Sequence, residues 1–156
     1  MEETVLTFDR NGYVVPYTLV DVDWNTFVQT FGFASHRQTL LTAYKDFLAA
    51  LAELLPVKHR HWVDGSFGSD KMEPGDIDVI VFVPHTHFTN TLSQLKQLKK
   101  DSAELIDCYF VETFPPDHAK FEISRADELD WFHFLRTDRR KRPKGILELW
   151  YNYGDK

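Results

Sequence analysis

The chain has 156 residues, of which 43% are hydrophobic and 15% aromatic, a size and composition that suit one globular domain with a substantial core. The formal net charge of −6 argues against binding to nucleic acid or anionic membrane over the whole surface, so any phosphate-binding surface must be local. With one cysteine, no leader-like start and no apolar run of membrane-spanning length, the sequence predicts a cytoplasmic protein without disulfides, in which Cys108 is a small buried residue.

Residues 1–34 are predicted to form an N-terminal arm. Asn11 and Gly12 stand between two β-rich runs, and because both residues tolerate positive φ they favour a hairpin turn. The segment 24–31 is interpreted as a short helix. We therefore expect a strand or hairpin, followed by a helix, ahead of the main body of the domain.

The helix predicted over residues 35–55 has the clearest pattern in the sequence. Apolar residues recur at helical spacing and the pattern stops before Pro56. Ser35 and Gln38 form a capping-box pattern, which predicts that the Ser35 side chain caps the start of this helix.

The remaining elements alternate between strands and helices. Strands are predicted over 59–65, 76–83, 104–114 and 145–153, and helices over 86–102 and 125–137. Alternation with short connections indicates an α+β (α/β-like) fold, in which helices pack on a mixed β-sheet.

A pair of acids at the start of the second of these strands points to a metal. Asp76 and Asp78 are two residues apart, so they point to the same face of the strand. Like charges at that distance repel unless one is protonated or a cation lies between them, and Mg²⁺ or Mn²⁺ takes such oxygen ligands. Asp107 opens the next predicted strand and is the expected third ligand, with Glu104 as the fallback.

Each acid also has an interpretation without a metal. Asp76 would cap the turn after Pro74, and Asp78 would pair with Lys71. Asp107 would be an ordinary acid at the edge of a strand. The coincidence of the paired acids with a nearby Gly-Ser turn favours the metal site.

Gly65 and Ser66 predict a phosphate-binding turn. Glycine allows a sharp bend and a close approach of a ligand to the backbone, while Ser66 adds a hydroxyl beside N–H groups that can bind an anion. Phosphate oxygens bridging this turn and a metal would permit in-line attack on the α-phosphorus of a nucleoside triphosphate (NTP).

These motifs resemble those of a known superfamily. Gly65-Ser66, nine residues, Asp76-Ile77-Asp78 and a later Asp107 look like the pattern of the DNA polymerase β-type nucleotidyltransferases, most closely of their small bacterial stand-alone members. The stretches DGSFGSDKMEPGDIDV and FLRTDRRKRPKGILEL resemble one bacterial group of that superfamily. The resemblance covers the chain from Ser35 to the C-terminus.

The resemblance implies a polymerase β-like palm fold in a single domain over residues 1–156. It implies Mg²⁺-dependent transfer of a nucleoside monophosphate from an NTP to a hydroxyl of a protein, an RNA or a small molecule, in a toxin–antitoxin or phage-defence setting. Asp76 and Asp78 would bind the metals, Asp107 would complete the site and help activate the acceptor, and Gly65 with Ser66 would hold the triphosphate.

The sequence after Asp107 departs from that of the larger members. One predicted helix and one strand follow it, where polymerases and tRNA-tailing enzymes carry large helical domains, so processive polymerisation is not expected. The alternative function is a catalytically weak nucleotide- or partner-binding module, like an antitoxin subunit. A partner protein or a homo-oligomer fits either function, and no membrane is expected.

The basic run over residues 136–144 is a local exception to the acidic balance. Its side chains would reach nucleotide phosphates or an RNA backbone, or would form a solvated loop. Lys144 adjoins Gly145 at the start of the last strand, and the resembling group has a similar Lys-Gly-Ile, so Lys144 is the candidate nucleotide ligand.

Two histidine pairs, His59 with His61 and His85 with His87, are candidate zinc ligands on a strand face. Neither pair has an obvious third ligand nearby, so zinc is not favoured. Three of the four tryptophans are expected to be core or rim aromatics and not a base-stacking platform, namely Trp62, Trp131 and Trp150.

Overall fold

The computed structural model describes residues 6–151. Its elements in chain order are β1 (Thr7–Phe8), β2 (Val14–Val15), β3 (Leu19–Asp21), α1 (Trp24–Phe31), α2 (Ser35–Leu54), β4 (His59–Asp64), a 3₁₀ turn (Ser66–Gly68), β5 (Ile77–Pro84), α3 (His85–Ser102), β6 (Ile106–Thr113), α4 (Phe121–Leu135) and β7 (Ile146–Tyr151).

Within residues 6–151, the main sheet has five strands in the order β3-β7-β4-β5-β6. The central strand β4 runs antiparallel to both of its neighbours, whereas β5 and β6 are parallel to each other and so are β3 and β7. The sheet is therefore mixed, with four helices in the described chain, and the prediction of an α+β fold is confirmed.

The two faces of the sheet bury different cores. Alternate residues of β5, including Val79 and Val81, point to the larger core, which they share with apolar side chains of α1, α2 and α3. Ile80 and Phe82 point to the opposite face, where they pack with Trp62 and with Leu135 of α4. Asp78 lies two residues before Ile80, so its side chain points to the same face of the sheet, and its carboxylate lies at the end of the face that α4 covers.

The N-terminal arm is a hairpin that continues into the main sheet. β1 and β2 pair antiparallel, and Gly12 has φ +80° in the connection, as the Asn11-Gly12 pattern predicts; residues 1–5 lie outside the described chain. The arm then supplies β3, which pairs parallel to β7 at the edge of the main sheet. This contribution to the sheet was not predicted.

The capping-box prediction for α2 is wrong. The N-cap is Ala34, whose backbone is extended and whose side chain makes no capping hydrogen bond, so Ser35 is already helical. Gln38 donates its side-chain amide to the Gly32 carbonyl at 3.1 Å instead. A capped helix does precede it, since the Asp23 side chain accepts from the Thr26 N–H at 2.7 Å at the start of α1.

Two boundaries also differ from the sequence patterns. α4 begins at Phe121, four residues before the predicted start at Arg125. Its N-cap makes no side-chain hydrogen bond, so no capping residue in the sequence marks this start. His85 and His87 lie in the first turn of α3 and not on a strand. No helix in the described part of the chain is long and apolar enough to cross a membrane.

Candidate active site

Asp76, Asp78 and Asp107 meet at one edge of the sheet. The parallel register places Asp78 opposite Asp107, and Asp76 immediately precedes β5. One carboxylate oxygen from each residue lies within 4.8 Å of the other two, and all three side chains are partly buried. The fallback ligand, Glu104, is exposed and lies outside this cluster.

Burial and the neighbouring acids raise the pKa of two of these carboxyl groups, those of Asp76 and Asp78. Burial raises the pKa of Asp78 to about 7, with further contributions from the negative charges of Asp76 and Asp107. Burial and the charge of Asp107 also raise the pKa of Asp76. A set of partly buried carboxylates that repel one another suits a hard divalent cation with oxygen ligands, so the residues present fit Mg²⁺ or Mn²⁺.

The alternative interpretation of Asp78 fails. Among the described residues, no ion pair joins Lys71 to Asp78, and Lys71 is exposed. Negative charges of other acids, including Asp64, raise the pKa of Asp78 in addition to its burial.

Gly65 lies directly against the acid cluster. Its φ of +74° favours glycine, and a Cβ added there would stand 1.8 Å from Oδ2 of Asp78. Ser66 follows at the start of the 3₁₀ turn and lines the same cleft. The turn and the acids are therefore parts of one site, and glycine is required where they touch.

A fourth carboxylate, Asp64, was missed by the sequence reasoning. It pairs with Asp78 across β4 and β5, and it is 4% exposed. Lys144 Nζ donates to Asp64 Oδ2 at 2.7 Å, and this contact partly offsets the burial that raises the pKa of Asp64. Asp64 stands beside Gly65 in the sequence, so its adjacency to the turn was the available signal.

Lys144, the predicted nucleotide ligand, lines the cleft but is only 9% exposed. Its ammonium group is bound to Asp64, so it acts in this structure as the counter-charge of a buried acid. Its contact with a phosphate stays a prediction.

The basic run is folded around Asp138. This carboxylate accepts from the backbone N–H groups of Arg140 and Arg142, from Arg142 Nε at 2.7 Å and from the Tyr13 hydroxyl at 2.8 Å. These bonds outweigh the desolvation of Asp138 and hold its pKa well below the usual range. Arg139 and Lys141 remain exposed and line the cleft.

The arm joins the basic run to the Gly-Ser turn. Tyr13 forms a β-bridge with Ser69 in addition to its bond to Asp138, and the Asp70 N–H donates to the Gly12 carbonyl at 3.0 Å. The hairpin turn thus contacts both loops that border the acids.

The cleft has a volume of about 1020 Å³ and combines acidic, basic and aromatic walls. Tyr109 follows Asp107 by two residues, and its ring centroid lies 5.1 Å from that of Trp131. Trp62 is buried and Trp131 is partly buried at the cleft, whereas Trp150 is 53% exposed.

His59 and His61, one of the two candidate zinc pairs, lie within hydrogen-bond distance of each other. His59 Nε2 and His61 Nε2 are 3.0 Å apart, and His61 Nδ1 lies 2.7 Å from the Tyr44 hydroxyl. Burial lowers the pKa of both histidines. Over residues 6–151, Asp76, Asp78 and Asp107 are the only group of three or more His, Cys, Asp or Glu residues with metal-ligand spacing.

Over residues 6–150 the chain matches a protein family described as a family of unknown function (DUF6932), and it belongs to that family. No curated protein and no solved structure matches it.

Proposed function

We propose that this member of the DUF6932 family is a Mg²⁺- or Mn²⁺-dependent nucleotidyltransferase that transfers a nucleoside monophosphate from an NTP to an acceptor hydroxyl. One observation carries the proposal: the ligand oxygens of Asp76, Asp78 and Asp107 lie within 4.8 Å of one another, and Gly65 packs against one of them. A phosphate-binding turn beside a cation site is the arrangement that this reaction needs.

The strand order supports a polymerase β-like palm fold. β4 and β5 are antiparallel and are joined through the Gly-Ser turn, while β6, which carries the third acid, is parallel to β5. Along the chain, the Gly-Ser turn, the paired acids and the third acid follow one another in the order of the superfamily's motifs.

In the proposed mechanism Asp76 and Asp78 would hold the metal ions together with Asp107. When bound, the ions neutralise the acids and stabilise negative charge on the transferring phosphoryl group. Ser66 and the backbone around Gly65 bind the β- and γ-phosphates. Asp107 orients the acceptor hydroxyl and accepts its proton, as a bond forms from the acceptor oxygen to the α-phosphorus and pyrophosphate leaves.

The acceptor comes from another molecule. A hydroxyl of a protein, an RNA or a small molecule fits the proposal, with a partner protein or a second copy of the chain presenting it. The setting is the cytoplasm, where NTPs are available, in a toxin–antitoxin or phage-defence role.

The test is incubation of the purified protein with each NTP, labelled at the α-phosphate, together with Mg²⁺ or Mn²⁺ and cell lysate. We expect label in protein, RNA or a small molecule, with release of pyrophosphate. Asp78→Ala should abolish transfer, and Asp107→Asn should remove most transfer but spare much of the nucleotide binding, since its contribution is to the transition state.

Two results would contradict the mechanism. Full activity in Asp78→Ala would exclude the acid cluster as the site. Nucleotide binding by the parent without transfer to any acceptor would favour the second candidate, a nucleotide- or partner-binding module.

A further inference from the structure

Arg37 is a charged residue buried on the far side of the phosphate-binding turn. It lies in the first turn of α2 and has no exposed surface. Its guanidinium donates to five backbone carbonyls of the described chain, at N···O distances between 2.7 and 3.3 Å, and these belong to Phe31, Ser66, Phe67, Ser69 and Lys71. Four of these carbonyls lie in the segment 66–71, directly after Gly65.

In the described part of the chain, no carboxylate lies within ion-pair distance of the Arg37 guanidinium. Within residues 6–151, no ion pair includes Arg37, although Asp70 is near enough to favour its charged form. The rings of Phe33 and Phe67 lie 4.4 and 4.9 Å from the guanidinium carbon. Burial lowers the pKa of Arg37 to about 10, so the group remains positive at neutral pH.

The hydrogen bonds fix the shape of the segment. Because a peptide unit is planar and trans, a carbonyl that points to Arg37 turns the following N–H away from it. The carbonyl of Ser66 is held by Arg37 and also by the Ser69 hydroxyl at 2.6 Å. A neutral side chain would bury the same volume without desolvating a charge, so packing alone does not explain an arginine here.

We propose that Arg37 is a positioning residue that holds the backbone of 66–71 in the conformation in which Gly65 and Ser66 bind the phosphates of the NTP. The inference rests on the proposed function. The five hydrogen bonds of the Arg37 guanidinium go to backbone carbonyls, so it acts through the turn, and its positive charge also favours an anion at that turn.

The experiment compares the parent with Arg37→Lys and Arg37→Met. Binding of Mn²⁺ alone and binding of each of the four NTPs with Mn²⁺ are measured by calorimetry, at a temperature where every variant is folded. We expect both variants to bind Mn²⁺ as the parent does, because none of the three acids contacts Arg37. We expect NTP affinity to fall at least about tenfold in Arg37→Lys, which keeps the charge but has fewer donors, and further in Arg37→Met.

The matched control is Leu51→Ala. Leu51 lies on the same helix and is fully buried, so its truncation destabilises the fold without touching the turn. We expect this control to retain the parent's NTP affinity, and hydrogen exchange in 66–71 to rise in the Arg37 variants alone.

The outcomes separate the two proposals. Unchanged NTP affinity in both Arg37 variants would overturn the positioning role and leave the proposed function intact. A parent that binds Mn²⁺ but none of the four NTPs would overturn the proposed function, and the positioning role with it. Equal loss in Leu51→Ala and in the Arg37 variants would show that Arg37 acts through stability alone.

Discussion

Replacement of Asp78 with asparagine is expected to stabilise the metal-free protein. The pKa of Asp78 is raised from 3.8 to about 7, so the folded state holds a proton that the unfolded state releases. At about 1.4 kcal/mol per pH unit, the difference corresponds to about 4 kcal/mol for a fully buried group. Because Asp78 is partly exposed, solvent screening reduces this, and we expect about 1–2 kcal/mol.

The size of the effect depends on pH, and its sign does not. Ionisation of Asp78 costs nothing below about pH 4, where both states are protonated, and its cost grows until about pH 7 and is constant above that. The stabilisation of Asp78→Asn should therefore be full at pH 8 and small at pH 4.5. In a thermal melt, about 1–2 kcal/mol raises the Tm by roughly 2–8 °C for a chain of this size.

The assay is thermal unfolding of the parent and Asp78→Asn at both pH values, with EDTA or with excess Mg²⁺. The metal should stabilise the parent and have no effect on the variant. Asp127→Asn, at an exposed site on α4, is the control for loss of one negative charge. A marked loss of stability in metal-free Asp78→Asn at pH 8 would refute the reasoning, because it would identify Asp78 as a structural anchor.

Two further predictions concern buried titratable groups elsewhere. Burial lowers the pKa of His59 and His61, so the free energy of unfolding should fall as the pH drops below about 6.5, by up to about 1.4 kcal/mol per pH unit for each group. Urea unfolding should show this decline in the Asp78→Asn background, where the opposite pH dependence due to Asp78 is absent. A flat profile from pH 7 to 5 would contradict the prediction. Lys144→Met leaves the buried Asp64 without its counter-charge and should lower the free energy of unfolding by about 3 kcal/mol. The double variant with Asp64→Asn should regain most of that stability, and no rescue would show that the pair is not coupled.

The acid cluster was predictable because strand geometry needs only local sequence. Asp78 and Asp107 each lie second in a strand, and parallel pairing of those strands sets them opposite each other. The alternation of side chains fixed the face, and Gly65 marked the turn. The same logic would have found Asp64, which points to that face from the antiparallel neighbour β4.

Contacts that depend on distant backbone could not be predicted. Arg37 sits in a polar stretch at the start of α2, and its partners are carbonyl groups, which every residue has, so no residue pattern identifies them. Tyr13 and Asp138 are 125 residues apart in the sequence and meet only because the hairpin packs beside β7. Asp138 stands within a basic run, where charge composition alone suggests a solvated loop.

Calorimetric titration of the protein with each NTP, in Mg²⁺ and in EDTA, is the most direct test of the central proposal. It asks whether the three acids and the Gly-Ser turn form one metal-dependent nucleotide site. We expect weak or no binding in EDTA, because clustered carboxylates repel a triphosphate, and clearly tighter binding of at least one NTP in Mg²⁺. In Asp78→Ala the difference should disappear. Equal affinity of the parent under both conditions would contradict the account.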